Sequence, residues 1–431
     1  MVLLNELLWF FLVFFLSATV LSGYLSWLNI QHLKTHGRQI PSDFGGRIKQ
    51  ITLARMSDYT VDSTRLRSFN SIVDDGFLLL ILLSGVLPRY AEILEESNLP
   101  FVAKALLFLA VPGAVSGIVN IPFDLYGTFV IEKRYGFSTT TFRLWCIDFV
   151  KSLLISIFII SFLLSCFFIL LSVAPETWWI WSWLFFSIFQ IVALWLYPVL
   201  IAPLFNKYEP VADHNLKRSI VSLVERAGLK TKAVLQVDAG KRSRHSNAYF
   251  TGFGRTKRIV LYDTLIASHS TDEILAVLAH EIGHWKKKHI IKKLIIIGVV
   301  SLLVFYLFWR LLDWTLMYRT FGFEVNLPYA GLFLLSALTG PVVFFLKPVD
   351  SLISRKYERQ ADDYTKDLIG STRALSEALM RLAENNLANL HPHPLYAWFY
   401  YSHPPLVDRI GYLRSLENGQ PSNTVSVPAS D

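Results

Sequence analysis

Seven apolar runs, each long enough to cross a lipid bilayer as a helix, constrain this chain more than any other feature. They lie near 4–29, 72–88, 101–122, 152–174, 178–204, 290–312 and 329–347. A hydrocarbon core of about 30 Å takes roughly 20 apolar residues in helical form. Inside it only helices and closed barrels satisfy their own backbone groups. The second run is the shortest and opens on Asp74 and Asp75; the third holds Pro112 and Gly113, which bend helices but are tolerated in membranes. The first run, Leu7 to Ile30, has no basic segment before it and no small-residue cleavage site, so it reads as a retained span. With 53% apolar and 17% charged residues over 431, a soluble protein is excluded.

Basic residues orient the spans. Lys34, Arg38, Arg47, Lys49, Arg55, Arg65 and Arg67 follow the first run, and Lys133, Arg134, Arg143 and Lys151 follow the third. The segment after the fifth run is rich in Lys and Arg, whereas the alternate connections hold only Arg89 and Arg319. By the positive-inside rule, the N-terminus lies outside and the C-terminus in the cytoplasm. The same placement explains the net charge of +8 without nucleic acid, since the bases sit beside apolar spans and face lipid headgroups. The two cysteines, Cys146 and Cys166, offer neither a disulfide framework nor a metal site.

Between the fifth and sixth runs the pattern changes. A helix is expected from Pro210 to Gly228, strands over Ala233 to Val237, Asn247 to Thr251 and Arg258 to Tyr262, and a turn over Ala239 to Ser246. Gly252-Phe253-Gly254 ends the middle strand. A last helix runs from Thr271 to His289, with Ser270 and Glu273 as a capping box. The predicted divisions are an N-terminal membrane domain of five spans over 1–206, a catalytic lobe over 207–289, two further spans over 290–348, a helical region over 349–416 that is amphipathic around Tyr357 to Leu382, and a disordered polar tail over 417–431.

The lobe carries the chemistry. In His280-Glu281-Ile282-Gly283-His284, both histidines share one helix face and can reach one ion. Glu281 stands beside the first ligand, where a carboxylate can take a proton from the attacking water. Two imidazoles plus a carboxylate, with a fourth position open, is the ligand set of catalytic zinc. The bland alternative, a helix that happens to carry two histidines, fits poorly with a capped amphipathic helix running into a span. No histidine follows at the spacing of the all-histidine variant. His289, after three lysines, reads as an interface anchor. The third ligand is better sought at Glu358, with Asp362 one turn on to accept a hydrogen bond from a ligand histidine.

This set resembles the zinc-dependent integral-membrane CAAX prenyl proteases, the CAAX prenyl protease 1 type, and a prokaryotic member is expected. The motif His280 to Trp285 and the segment Glu358-Arg359-Gln360-Ala361-Asp362 are separated by two spans. Tyr126 to Phe137, Pro198 to Pro210, Asn247-Ala248-Tyr249 and Ser402-His403-Pro404-Pro405 with Arg409 add to the likeness, which covers about residues 20 to 415. The resemblance implies a polytopic α-helical protein whose seven helices enclose a chamber, with a small α+β catalytic lobe and one zinc per chain facing inward. It also implies that the strand at Asn247 and Ala248 pairs with an extended substrate. Asn247 reads equally as a turn residue. His403 becomes a candidate to steady the developing oxyanion, as readily as a local role before two prolines. Arg409 would pair with Asp362 or another acid near the metal.

The expected reaction is endopeptidase hydrolysis of a peptide or protein substrate, with a prenylated C-terminal cysteine as the form the resemblance implies. An HtpX-type membrane quality-control protease, and a non-catalytic scaffold or transporter, are the alternatives. A bacterial cytoplasmic membrane is favoured, or the endoplasmic reticulum if the source is eukaryotic.

Overall fold

A computed structural model describes residues 2–251 and 258–418. The Gly252-Phe253-Gly254 strand end and nearly all of the polar tail lie outside the described residues.

Among the described residues, six unbroken helices are long and apolar enough to span a membrane: Glu6–His36, Phe101–Arg134, Phe142–Val173, Trp178–Phe205, His289–Leu311 and Pro328–Ile369. A bent pair, Gln50–Leu83 running into Val86–Glu96 at 58°, makes a seventh when the two helices are taken as one span. The bend falls at Gly85, in the left-handed region at φ 76°, where a glycine carries no steric penalty.

This second span corrects the expected 72–88. Its helix begins at Gln50 and absorbs Arg55, Arg65 and Arg67, which the apolar pattern places in a loop. Its charged residues instead find partners on other helices. Thr19 Oγ1 donates to Asp75 at 2.7 Å and Asn120 Nδ2 to Asp74 at 2.8 Å. Asp62 accepts from Arg134 and from the Tyr135 hydroxyl. Polar groups at membrane depth persist when they face the protein interior and are paired, so an apolar-run count underestimates such a helix.

Three of the membrane helices have few fully buried residues. In the most apolar window of Phe142–Val173 only 6% of residues are buried, and in those of Trp178–Phe205 and His289–Leu311 none is. Helices packed on two sides would bury far more. They pack in pairs, as where Trp183 Nε1 donates to the Gly298 carbonyl at 2.8 Å and Trp179 lies against Tyr306 and Trp309, and they leave many apolar side chains exposed. The exception is a close-packed aromatic cluster of Phe11, Phe108, Tyr318, Phe321 and Tyr329 at one end of the bundle.

The soluble lobe is a four-stranded sheet, β1 Tyr208–Pro210, β2 Ala233–Val237, β3 Ala248–Thr251 and β4 Arg258–Tyr262, ordered β1-β2-β4-β3. β2 and β4 are parallel and the outer pairs antiparallel. The expected helix from Pro210 becomes a short edge strand followed by a helix His214–Arg226, because Asp213 caps the helix through the amides of Asn215 and Leu216. On the sheet lies the motif helix, Thr271–Lys286, which buries Ile274, Leu278, Ala279 and Ile282 against Ile220, Val234, Ile259 and Leu261. Its capping box is present: Glu273 N donates to Ser270 Oγ, and Ser270 N to the Glu273 carboxylate at 2.7 Å. Burial disfavours that carboxylate's charge. The Ser270 amide and Arg381 more than offset it and hold Glu273 below its usual range.

The last span does not stop at 347. It continues through Pro341 and Pro348 to Ile369, 42 residues in all, and ends at Gly370, whose φ of 81° forms a left-handed stop. The amphipathic helix expected over Tyr357 to Leu382 is therefore two: the end of this long helix, and Arg373–Asn385. The consequence is functional. A helix anchored in the membrane delivers Glu358 and Asp362 to the lobe.

Candidate metal centre

The motif helix and the long helix cross at Gly283. A Cβ added there would lie 2.9 Å from Ala361 Cα and 3.0 Å from its carbonyl oxygen, so only glycine allows this approach. That contact brings Glu358, one turn before Ala361, over the two histidines. Gly283→Ala should force the helices apart. We expect zinc affinity to fall roughly 10–100-fold, the range seen when groups that support metal ligands are altered. Zinc content after dialysis against a competing chelator measures this.

Among the described residues, one group of three ligand-type side chains converges: His280, His284 and Glu358. His280 Nε2 and His284 Nε2 are 3.1 Å apart. Glu358 Oε2 lies 3.3 Å from the first and Oε1 3.2 Å from the second. Four ligands placed tetrahedrally at about 2.0–2.1 Å from zinc stand about 3.3 Å from one another. The donor atoms already have that spacing. Glu358 Oε2 is buried and makes no hydrogen bond, although His403 Nδ1 and Arg409 Nη1 approach to 2.8 and 3.3 Å. A buried carboxylate oxygen without a hydrogen bond fits a cation. The residues therefore fit a zinc ion.

The remaining ring nitrogens are set for the same purpose. His280 Nδ1 is 2.8 Å from Asp362 Oδ1 and donates to it, which leaves the Nε2 lone pair facing the centre. His284 Nδ1 is 2.9 Å from His289 Nδ1, and His289 Nε2 is 2.9 Å from Gln360 Oε1. Since the Gln360 oxygen only accepts, His289 donates through Nε2 and accepts at Nδ1. His284 must then donate through Nδ1, and its Nε2 is also free for the metal. His289 stacks on Tyr357 at 4.2 Å and is buried. This corrects its reading as an interface anchor. The chain turns back at Lys288, in the left-handed region at φ 57°, and that turn puts the fifth residue after His284 beside it.

Arg409 binds Asp362 through two hydrogen bonds, Nε to Oδ2 at 2.9 Å and Nη2 to Oδ1 at 2.7 Å. Both side chains are buried. Burial would lower the guanidinium's pKa, but the carboxylates of Asp362 and Glu358 override it and hold it above its ordinary value. Glu281 follows His280 on the motif helix, half-buried. His403 is exposed at the rim and, with Arg409, Leu382 and Tyr401, lines a cavity of about 500 Å³. β3 packs beside the motif helix and forms one edge of the sheet. Ala248 is buried in it and pairs with Leu261, while Asn247 is exposed and accepts from the Ala248 amide. Of the sequence-derived residues, His280, His284 and Glu358 converge, Asp362, His403 and Arg409 approach them, and Glu281, Asn247 and Ala248 lie on the motif helix and at the adjoining strand.

Known proteins resemble this chain over most of its length. Residues 29–207 match the family model "CAAX prenyl protease N-terminal, five membrane helices", and residues 210–417 match "Peptidase family M48". CAAX prenyl protease 1 of Saccharomyces cerevisiae is 35% identical over 406 residues, covering 88% of this chain and 89% of that protein. A CAAX prenyl protease 1 homolog of Arabidopsis thaliana is 34% identical, covering 86% and 89%. The crystal structure of S. mikatae Ste24p superposes with a TM-score of 0.87 at 34% identity, covering 93% of this chain and 97% of that one. The chain is thus a multi-pass membrane zinc metallopeptidase and belongs to the CAAX prenyl protease 1 family.

Proposed function

We infer that this protein cleaves peptide bonds in protein tails that carry a prenylated cysteine. The names of its relatives support that class. So do the exposed apolar side chains of the membrane helices, because each buried methylene of a lipid chain contributes about 0.8 kcal/mol. The observation that carries the reading is the spacing of 3.1–3.3 Å among the donor atoms of His280, His284 and Glu358.

In this reading His280, His284 and Glu358 hold zinc, and Asp362 and Arg409 orient His280. When bound, zinc polarises the scissile carbonyl and acidifies a water molecule. Glu281 takes a proton from the attacking water as its oxygen bonds to the carbonyl carbon. It then passes the proton to the departing amine as the C–N bond breaks. His403 donates to the carbonyl oxygen as negative charge grows there. Asn247 and Ala248 offer the open edge of β3 to an extended peptide, whose backbone pairs with the strand.

The orientation inferred from basic residues keeps the N-terminus outside and the zinc side cytoplasmic. The relatives named above come from yeasts and a plant, which supports the endoplasmic reticulum over a bacterial membrane. The division near 206/207 is supported by the change there from spans to a sheet. The further divisions at 289/290, 348/349 and 416/417 are kept as proposed units, although one helix runs through 348/349.

The test uses a fluorogenic peptide with and without a farnesyl group on its cysteine. We expect at least a tenfold higher kcat/KM for the farnesylated form, about 1.4 kcal/mol. A chelator should abolish cleavage and one equivalent of zinc restore it. Equal cleavage of both peptides would point to a general membrane peptidase and remove the prenyl assignment.

A further inference from the structure

The edge of β3 can receive an extended peptide in one register only if the edge itself is held. No strand pairs with its outer side among the described residues. What holds its entrance comes from far along the chain. Asn386, just past the end of the helix Arg373–Asn385, accepts from Ser246 N at 3.1 Å and donates from Nδ2 to Ser246 O at 3.3 Å. One carboxamide thus engages both backbone groups of a single residue, as a partner residue does in a hydrogen-bonded antiparallel pair. Ser246 is buried and lies two residues before β3.

The amide is itself fixed. Its Oδ1 faces His245 Nδ1 at 3.2 Å, and His245 Nε2 faces Glu132 at 3.3 Å. Tyr59 donates to the same carboxylate at 2.6 Å, and Phe137 stacks on the His245 ring at 4.0 Å. Glu132 and Tyr59 belong to two membrane helices, Phe101–Arg134 and Gln50–Leu83. A continuous set of contacts therefore runs from the bundle to the strand. Asn386 also lines the cavity that contains His403 and Arg409, which puts the clamp beside the centre.

We propose that Asn386 is a positioning residue for substrate: its side-chain amide, braced by His245 and Glu132, holds Ser246 so that the β3 edge can pair with an extended peptide. This rests on the strand-pairing reading of Asn247 and Ala248. Asn386 acts through Ser246 and takes no part in proton transfer or metal binding. Its loss should weaken extended peptides and spare both the chemical step and small metal-directed ligands.

The test compares zinc-loaded full-length wild type, Asn386→Leu and Asn386→Asp in detergent. For a quenched peptide spanning the cleavage site, Asn386→Leu should raise KM about tenfold or more, the effect of losing two backbone hydrogen bonds, with kcat within about twofold. Inhibition by acetohydroxamate, which chelates metal without an extended backbone, and zinc content should stay at wild-type values. Asn386→Asp keeps the acceptor for Ser246 N and loses the donor, so its KM should rise by an intermediate factor. A KM within twofold of wild type in Asn386→Leu overturns the proposal, as does a parallel loss of acetohydroxamate inhibition or zinc. If Asn386→Leu does not fold, the KM of Asn386→Asp decides by the same rule. A control separates this idea from the one beneath it. Methylating the peptide's backbone nitrogens should weaken its binding to wild type at least about tenfold if strand pairing operates. No loss on methylation removes strand pairing and the clamp together, whereas a loss on methylation but none in Asn386→Leu removes the clamp alone.

Discussion

Glu281→Gln is expected to lower kcat roughly 10³–10⁴-fold, near the top of the range for a positioned general base. The substitution keeps the size and shape of the side chain but cannot accept the water's proton. It leaves His280, His284 and Glu358 as they are, so zinc content should remain about one per chain. Peptide affinity should change little, because the proton transfer belongs to the transition state and not to ground-state binding. The measurement is single-turnover hydrolysis beside metal analysis of the same preparation. Retained zinc with lost hydrolysis is the signature of a catalytic base. Activity above about a tenth of wild type would assign the base elsewhere, His403 being the next group at the rim, and unchanged biological function without hydrolysis would favour a scaffold.

How much of this centre can be read from the chain depends on how local each contact is. His280 and His284 lie one turn apart on one helix face and Glu281 adjoins the first, so a five-residue motif reveals all three. Glu358 and Asp362 are also one turn apart, and the need for a third ligand points to them. His289 carries no such signal. Its place beside His284 depends on one left-handed residue, Lys288, and on Tyr357 and Gln360, which lie about seventy positions away. Asn386 is invisible for the same reason, since both its partners on Ser246 are backbone groups 140 residues distant. Gly283 looks like a filler within the motif until the long helix is seen crossing it.

The membrane region divides along similar lines. Runs whose apolar stretch is unbroken, such as 178–204 and 290–312 (the latter with Lys292, Lys293 and Arg310 only near its ends), match the observed helices within a residue or two, because apolar length is what defines them. Hydropathy truncates the second span at 72, since Arg55, Asp62, Arg65 and Arg67 look like loop residues until partners such as the Tyr135 carbonyl for Arg55 and Arg134 for Asp62 are known. It also cuts the last span short. The polar extension from Lys347 onward reads as a separate amphipathic helix, and nothing in its hydropathy reveals that a single rigid rod runs from the membrane to the metal site. That rod gives the enzyme its geometry: one ligand pair comes from the lobe and the third ligand from the bundle, so the site exists only where the two are docked.

The pair at the centre of this docking should show the largest structural effect. Arg409→Leu is expected to destabilise the folded protein by about 3–5 kcal/mol, the usual consequence of removing one partner from a buried ion pair. Asp362 would be left fully buried with a charge that only His280 answers. Coulomb attraction at 2.7 Å is not what is chiefly lost; the penalty comes from a carboxylate cut off from both water and its bidentate donor. The Asp362→Asn/Arg409→Leu double variant tests that account. The carboxamide introduced by Asp362→Asn would be neutral and could still accept the His280 Nδ1–H, so the His280 ring would stay oriented while the stranded charge disappears. The double variant should therefore recover at least about 1.5 kcal/mol relative to the sum of the single changes. Equilibrium unfolding of the detergent-solubilised, zinc-free protein gives the four corners of the cycle and keeps metal affinity out of the comparison. Additive effects within about 0.5 kcal/mol would mean the two side chains are independent, and Arg409 would then have to be explained by its approach to Glu358. A strong coupling would instead identify Arg409 as the counter-charge that makes a buried carboxylate behind His280 sustainable before any metal arrives.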